Sequence, residues 1–355
     1  MIKKTLLHGG SMTATAFMQL APEQKHCILG MLCFSERPLS LNTANHSPCA
    51  YVPMKNLGIE EATYEIWQGN APLTEGKVGA IHYQHDDDIL FGVISLSELA
   101  FEVTPGKTPL QQATEVAYRE IFALIETLQY PHLFRFWNYI ADINTVSFEL
   151  ERYWQFNMGR YDAFVASQQE VIGNVPAACA LGFNGLNQAP LTIAFMAGRV
   201  KPLAIENPRQ ISAYEYPKQY GPISPTFSRA VLINLKHSEL LLISGTASIV
   251  GHATQHESDV TVQTYETMVN FEAILEEANR FARQAKFSVL DLHYRVYVRN
   301  PENLTQVQAE MTRYLGQPPN AVYLQADICR QDLLLEIEAT IESPLASFFR
   351  GDVEE

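Results

Sequence analysis

Long apolar runs are missing from this chain. No stretch of its 355 residues approaches the roughly 20 consecutive apolar positions that a bilayer-crossing helix needs. Cysteine is scarce and odd in number: Cys27, Cys33, Cys49, Cys179 and Cys329 form no CxxC pair. That argues against a disulfide frame or a zinc site and fits free thiols in a reducing cytoplasm. Positive charge is short as well. Lys and Arg number 25 against 39 Asp and Glu, a net charge of −14. A nucleic-acid partner needs a basic surface to neutralise phosphates, so this balance speaks against one. No secretion signal is visible, because the apolar run behind Lys3 and Lys4 fails at His8-Gly9-Gly10-Ser11. The glycine-bearing run Ser244–His252 lacks the Lys-Ser/Thr ending of a phosphate loop. His252 and His256 stand four apart beside Glu257, but their flanks read as strand and loop, so no metal pair is expected. The expectation is a cytoplasmic protein without a membrane, nucleic-acid or metal partner. An anion site in so acidic a chain must be built from a few well-placed arginines.

What is present is apolar material for globular cores, at 47% of residues, and an order of elements that occurs twice. In the first half, periodicity predicts a helix over Leu110–Leu128, a strand over Leu133–Ile140, a helix over Ser147–Ser167, and strands over Ala177–Phe183 and Pro190–Met196. In the second it predicts a helix over Met268–Ala285, a strand over Asp291–Val298, a helix over Leu304–Leu315, and strands over Val322–Ile328 and Leu333–Ile341. Each half opens with β-rich sequence: His26–Phe34 and Val78–Leu96, turning at Asp86-Asp87-Asp88, then Ala230–His237 and Leu240–Val250. The repeated order β-β-α-β-α-β-β implies an α+β protein of two units, each a mixed sheet with helices on one face. The expected division is 1–200, a connector at 201–226, and 227–355. The connector carries five prolines and Tyr214, Tyr216 and Tyr220. Three tyrosines so close together suit an ordered loop, and a candidate site wall, better than a disordered linker.

The run Asp332-Leu-Leu-Leu-Glu-Ile-Glu-Ala-Thr-Ile341 is the most informative for chemistry. Strand alternation puts Leu333, Leu335, Ile337 and Ala339 on one face and Glu336 and Glu338 on the other. Two carboxylates side by side in so apolar a strand resist joint ionisation, so one is expected to hold its proton near neutral pH and act as an acid. The bland alternative is the solvent face of an edge strand. Arg160, Arg229 and Arg135 offer planar forks that match carboxylates. Arg135, flanked by Phe134 and Phe136, also suits an internal ion pair. Gly245 would let a ligand approach the backbone, and Cys329 reads as a small buried thiol.

These segments together resemble the chorismatases. The likeness runs through Arg135-Phe-Trp-Asn-Tyr-Ile140, Glu151-Arg-Tyr153 with Gly159-Arg160, Tyr214-Glu-Tyr-Pro217 with Tyr220-Gly-Pro222, Pro225-Thr-Phe-Ser-Arg229, Ser244-Gly-Thr-Ala-Ser248, Asp327-Ile-Cys-Arg330 and Leu335-Glu-Ile-Glu338. Residues before about 100 add little to it. The C-terminal half also resembles the YjgF/RidA fold, so the implied architecture is two such domains. Ala321 stands where the imine-hydrolysing members of that group carry an arginine, which disfavours deaminase activity.

The chorismatase resemblance implies a cofactor-independent enzyme that cleaves chorismate into pyruvate and 3-hydroxybenzoate, with 4-hydroxybenzoate as an allowed second product. It implies Glu336 as the acid that protonates the enolpyruvyl methylene, with Glu338 beside it. It further implies Arg160, Tyr216 and Arg229 as carboxylate holders, together with Tyr153. Gly245 and Cys329 match positions that separate the product branches. Two rivals stand. One is a hydrolytic chorismatase giving pyruvate and a dihydroxycyclohexadiene carboxylate. The other is a non-catalytic YjgF-like metabolite binder, which keeps the arginines but has no need of a buried acid. A pterin- or iron-dependent enzyme is disfavoured, because no 2-His-1-carboxylate set is evident. Monomer and homotrimer are both open.

Overall fold

A computed structural model describes residues 7–36, 47–70, 72–185 and 189–345. The apolar start around Lys3 and Lys4 lies outside them. The chain begins with a four-stranded sheet in the order β1-β4-β2-β3: β1 His8–Thr13, β2 Ile28–Phe34, β3 Cys49–Val52 and β4 Thr63–Gln68, with short helices α1 Ala14–Met18 and α2 Pro22–His26 between β1 and β2. The strand expected at His26–Phe34 therefore does not open the first repeated unit. It belongs to this separate sheet.

The first unit runs β5 Thr74–Val78, β6 Ile81–His85, β7 Ile89–Leu96, α3 Pro109–Thr127, β8 His132–Ala141, the small hairpin β9 Val146–Ser147 and β10 Leu150–Glu151, α4 Arg152–Ala166, β11 Ala177–Phe183 and β12 Leu191–Gly198. The second runs β13 Leu203–Ile205, β14 Ala230–Asn234, β15 Ser238–Thr246, the small hairpin β16 Ile249–Val250 and β17 Ala253–Thr254, α5 Val260–Phe281, β18 His293–Val298, α6 Leu304–Leu315, β19 Ala321–Gln325 and β20 Leu335–Pro344. From the parallel edge the first sheet reads β11-β8-β12-β7-β6 and the second β19-β18-β20-β15-β14. The two orders correspond strand for strand. In each, the one parallel pair is bridged by a helix, α4 or α6.

Local chemistry accounts for most boundaries. Thr108 caps α3 by accepting from the Gln111 amide, and Pro109 fills its first turn. Asp259 caps α5, which starts eight residues before the expected Met268. Its first turn, Val260-Thr-Val262, is β-branched, and the cap outweighs that local preference. The helix expected from Ser147 begins at Arg152. Phe148 and Glu149 adopt left-handed φ values of 52° and 63° and turn the chain into the β9–β10 hairpin.

Helices α3 and α4 cover one face of the first sheet, and α5 and α6 one face of the second. The opposite faces meet in a shared core of Phe134, Tyr139, Leu181, Val231, Leu242 and Leu324, which also takes in Trp67 and Phe34 of the N-terminal sheet. Main-chain bridges join strand β11 to the second unit at Ala177–Ser228 and Gly182–Asp327. Polar groups buried along this seam face each other across two sheets. Among the described residues no helix is long and apolar enough to cross a membrane.

Candidate active site

Strand β20 sets Glu336 and Glu338 toward the inter-sheet seam, while Leu335, Ile337 and Ala339 pack under the helices, as alternation requires. Leu333 departs from that expectation. It lies before the strand begins and packs in the shared core. Both carboxyls are buried, with 4% exposure each, so the edge-strand alternative does not hold.

Their surroundings differ. Glu338 Oε2 lies 2.8 Å from Arg135 Nη2 and 3.3 Å from Arg295 Nη1, and Glu338 Oε1 accepts from the Tyr297 hydroxyl at 3.2 Å. Arg135 is thus the internal ion pair its sequence suggests. Among the described residues Glu336 has no ion pair. Its side-chain partner is the Cys329 thiol, 3.9 Å from Oε2. Burial first, and then the charge of Glu338, push the Glu336 carboxyl up to about 8, against the opposing pull of Arg135 and Arg229. Burial, helped by Glu336, pushes the Cys329 thiol up to about 12, which makes it a protonated wall and no nucleophile.

Glu336 looks into a narrow, mostly apolar hollow of about 50 Å³. All the residues expected to bind substrate line it: Tyr153, Arg160, Tyr216, Arg229, Gly245 and Cys329. Glu338 does not. Tyr153 and Arg160 come from α4. Gly159 seats that helix, because a Cβ there would lie 2.2 Å from the Gln111 carbonyl of α3. Gly245 sits at a bulge, where two residues of β15 oppose one of β20. A Cβ on it would fall 1.9 Å from Glu336 Oε1, so glycine leaves the acid its space. The connector forms a wall through Gln210, Tyr216 and Pro225. It is tied down by Arg229 to the Ile211 carbonyl and by Gln210 to the Ile249 carbonyl.

The cations are only partly used. Arg160 Nη2 donates to Asn157 Oδ1 at 3.1 Å, but its buried Nε has no partner. Arg229 donates to the Tyr216 hydroxyl at 2.8 Å and is flanked by the Tyr216 and Phe227 rings, and its Nε is likewise unpaired. The sequence pattern did not single out Arg330 as a site residue. Its guanidinium stacks 3.8 Å from the Tyr220 ring centroid and donates to the His252 carbonyl at 2.8 Å, leaving a buried Nη2 open. Glu206, which faces Arg229, is pushed by burial up to about 7, so it neutralises that arginine incompletely. Buried N–H groups without acceptors are costly. Three of them around one hollow, beside a neutral acid, offer donors to the oxygens of an anionic ligand.

His252 and His256 do not converge: the first meets Tyr220 and the second Glu266. Among the described residues, His8, Glu65 and His293 do come together, where β1 and β4 meet β18. Arg295 grips the second oxygen of that carboxylate, donating to it from Nε at 3.0 Å and also from Nη2. Nothing local marked Glu65 or Arg295, since 230 residues separate them.

The family described as "Chorismatase FkbO/Hyg5-like, N-terminal" matches residues 65–197. A 3-hydroxybenzoate synthase from Streptomyces hygroscopicus is 35% identical over 285 residues, 78% of this chain and 81% of that protein. A crystal structure of a chorismatase, 29% identical, superposes with a TM-score of 0.82 over 95% of this chain and 100% of the other. The YjgF gene product from E. coli, 19% identical, covers 39% of this chain and 95% of its own at a TM-score of 0.28.

Proposed function

This chain belongs to the chorismatase family and is an enzyme acting on chorismate; from that premise we propose that it releases pyruvate and 3-hydroxybenzoate, with Glu336 as the proton donor. The observation that carries the reading is a buried carboxyl with no ion pair, held protonated near neutral pH inside a hollow ringed by three arginines with open N–H groups.

Chorismate carries two carboxylates, one on the ring and one on the enolpyruvyl ether. Arg160, Arg229 and Arg330 are suited to hold both and to bring the enol methylene to Glu336. Positioning of this kind supplies up to roughly 7–11 kcal/mol of barrier reduction in favourable systems. The Glu336 proton passes to the methylene carbon, the π electrons leave a cation stabilised by the ether oxygen, and the ether C–O bond to the ring then breaks to free pyruvate. For 3-hydroxybenzoate the ring's own hydroxyl takes the place of water, and the proton lost on aromatisation leaves the atom balance free of any net water. Ala178, Ala180, Phe227, Leu333 and Ile249 line the hollow and favour that water-poor course. In this reading the unit 227–355 brings the acid, the unit 1–200 brings Tyr153 and Arg160, and the connector 201–226 closes the wall. Glu338, placed behind Glu336 and paired with two arginines, acts as a fixed anion.

The test is incubation of the purified protein with chorismate, without metal or nucleotide, and chromatography of the aromatic product. Pyruvate and 3-hydroxybenzoate in equal amounts are expected. Glu336→Gln is expected to lose at least 10²-fold in kcat, the general-acid contribution. A near wild-type rate in that variant removes Glu336 from the mechanism. Gly245→Ala, which crowds the acid, and Cys329→Ala, which opens room for water, are expected to shift product toward the diol. An unchanged ratio in both refutes the branch assignment.

A further inference from the structure

We propose that Glu65, on the N-terminal sheet, is a positioning residue for the proton donor: through Arg295 it governs how much of Glu338's charge is left to act on Glu336. The inference rests on Glu336 being the acid. Four charged side chains form a buried line, Glu65, Arg295, Glu338 and Arg135, each with 4% exposure or less. They span three sheets, through β4, then β18 and β20, then β8.

The geometry of Arg295 is lopsided. Its Nε and Nη2 both donate to Glu65 Oε2. Only Nη1 faces Glu338, at 3.3 Å, and it shares itself with the Tyr139 and Tyr297 hydroxyls at 3.2 and 3.1 Å. The fork that suits a carboxylate is spent on Glu65. Glu338 keeps Arg135 as its closer cation, at 2.8 Å against 3.3 Å for the shared Nη1 of Arg295, and its remaining negative field falls on Glu336. The groups facing Glu338 are Arg295 and Tyr297 of β18, Arg135 and Tyr139 of β8, Cys179 of β11 and Glu336 on its own strand. Those facing the Glu65–Arg295 pair are His8 of β1 and His293 of β18. His293 is pushed by burial down to about 4, so it adds no charge at neutral pH. Burial opposes the charge on Glu65, yet Arg295 and His8 hold its carboxyl well below the usual range, and it is an anion throughout. Without Glu65, Arg295 turns its fork on Glu338 and screens it, and one buried negative charge is lost as well. Both changes loosen the proton on Glu336.

The measurement is the alkaline limb of the kcat/KM profile with chorismate, in the full chain. The wild-type limb is expected near 8. Glu65→Gln is expected to move it down by about one pH unit, the scale of one unit charge acting over about 10 Å of protein interior. Glu65→Gln/Arg295→Met removes the pair whole. It bares Glu338, so its limb is expected to move up by a similar amount. This neutral replacement of a buried pair also folds where the single change does not, and it carries the test in that case. Glu239→Gln breaks a buried carboxylate that binds the Arg283, Gln284 and Ala285 amides, far from the hollow, and controls for plain destabilisation. Its limb is expected at the wild-type position. Limbs unmoved in both Glu65 variants, or moved in the same direction, overturn the proposal. Glu336→Gln run alongside separates the two claims: if it is inactive while the limbs stay put, only the role of Glu65 falls.

Discussion

At Glu336 a carboxyl has lost its water and gained an anion two residues away on the same face of its strand, while the arginines that could pair with it are committed elsewhere or point at the hollow. A carboxyl whose pKa is raised on folding binds its proton more tightly in the native than in the unfolded chain. Stability at this position therefore falls as pH rises from the ordinary 4.5 toward about 8 and is level below and above that window. Glutamine mimics the protonated form and escapes that penalty, which is on the order of 5 kcal/mol at its full extent. Glu336→Gln is expected to melt with the wild type at pH 4.5–5 and several degrees above it at pH 8.5, followed by circular dichroism. A melting difference that does not change with pH contradicts a buried neutral acid. The Glu336/Glu338 pairing was readable in the sequence because strand side chains alternate with a period of two. Alternation alone left open which of the two keeps its proton, and only the family resemblance pointed to Glu336, because Arg135 and Arg295 reach Glu338 from other strands.

Elements place these residues, and a few close approaches decide whether they do so. Helix α4 carries Tyr153 and Arg160 into the hollow with its backbone at Gly159 set closely against the Gln111 backbone of α3. Gly159→Ala puts a methyl against the Gln111 carbonyl, and the helices must separate. A loss of roughly 1–3 kcal/mol in denaturant unfolding is expected, with KM for chorismate raised as Arg160 withdraws. Unchanged stability and unchanged KM together contradict this packing. Helix and strand periodicities were legible in most elements of both units. The largest boundary shifts came at β9–β10, where left-handed residues turn the chain, and at α5, where a capping aspartate outweighs β-branched residues. Arg330 stands within a recognisable segment, but its place at the hollow comes from tertiary stacking on Tyr220, which no spacing announces.

For the whole molecule, duplication makes two sheets with one polar seam between them. The first sheet gives the seam Arg135, the second the two glutamates, the connector a wall, and the N-terminal sheet the counter-anion for Arg295. The repeat was visible as an order of elements. The placing of the N-terminal sheet against both units was not, since it packs into their shared core and its contacts reach as far as Asn56 with Leu324 and Glu65 with Arg295. A chain of net charge −14 concentrates three arginines around one hollow, and in the proposed reaction the chemistry turns on one proton passing from Glu336 to carbon. Turnover of chorismate in deuterium oxide tests this most directly, read by mass spectrometry of the pyruvate. An exchangeable Glu336 proton predicts one solvent deuterium in the pyruvate methyl group. Pyruvate carrying no solvent deuterium would mean that the hydrogen comes from the substrate itself, and protonation by Glu336 would be ruled out.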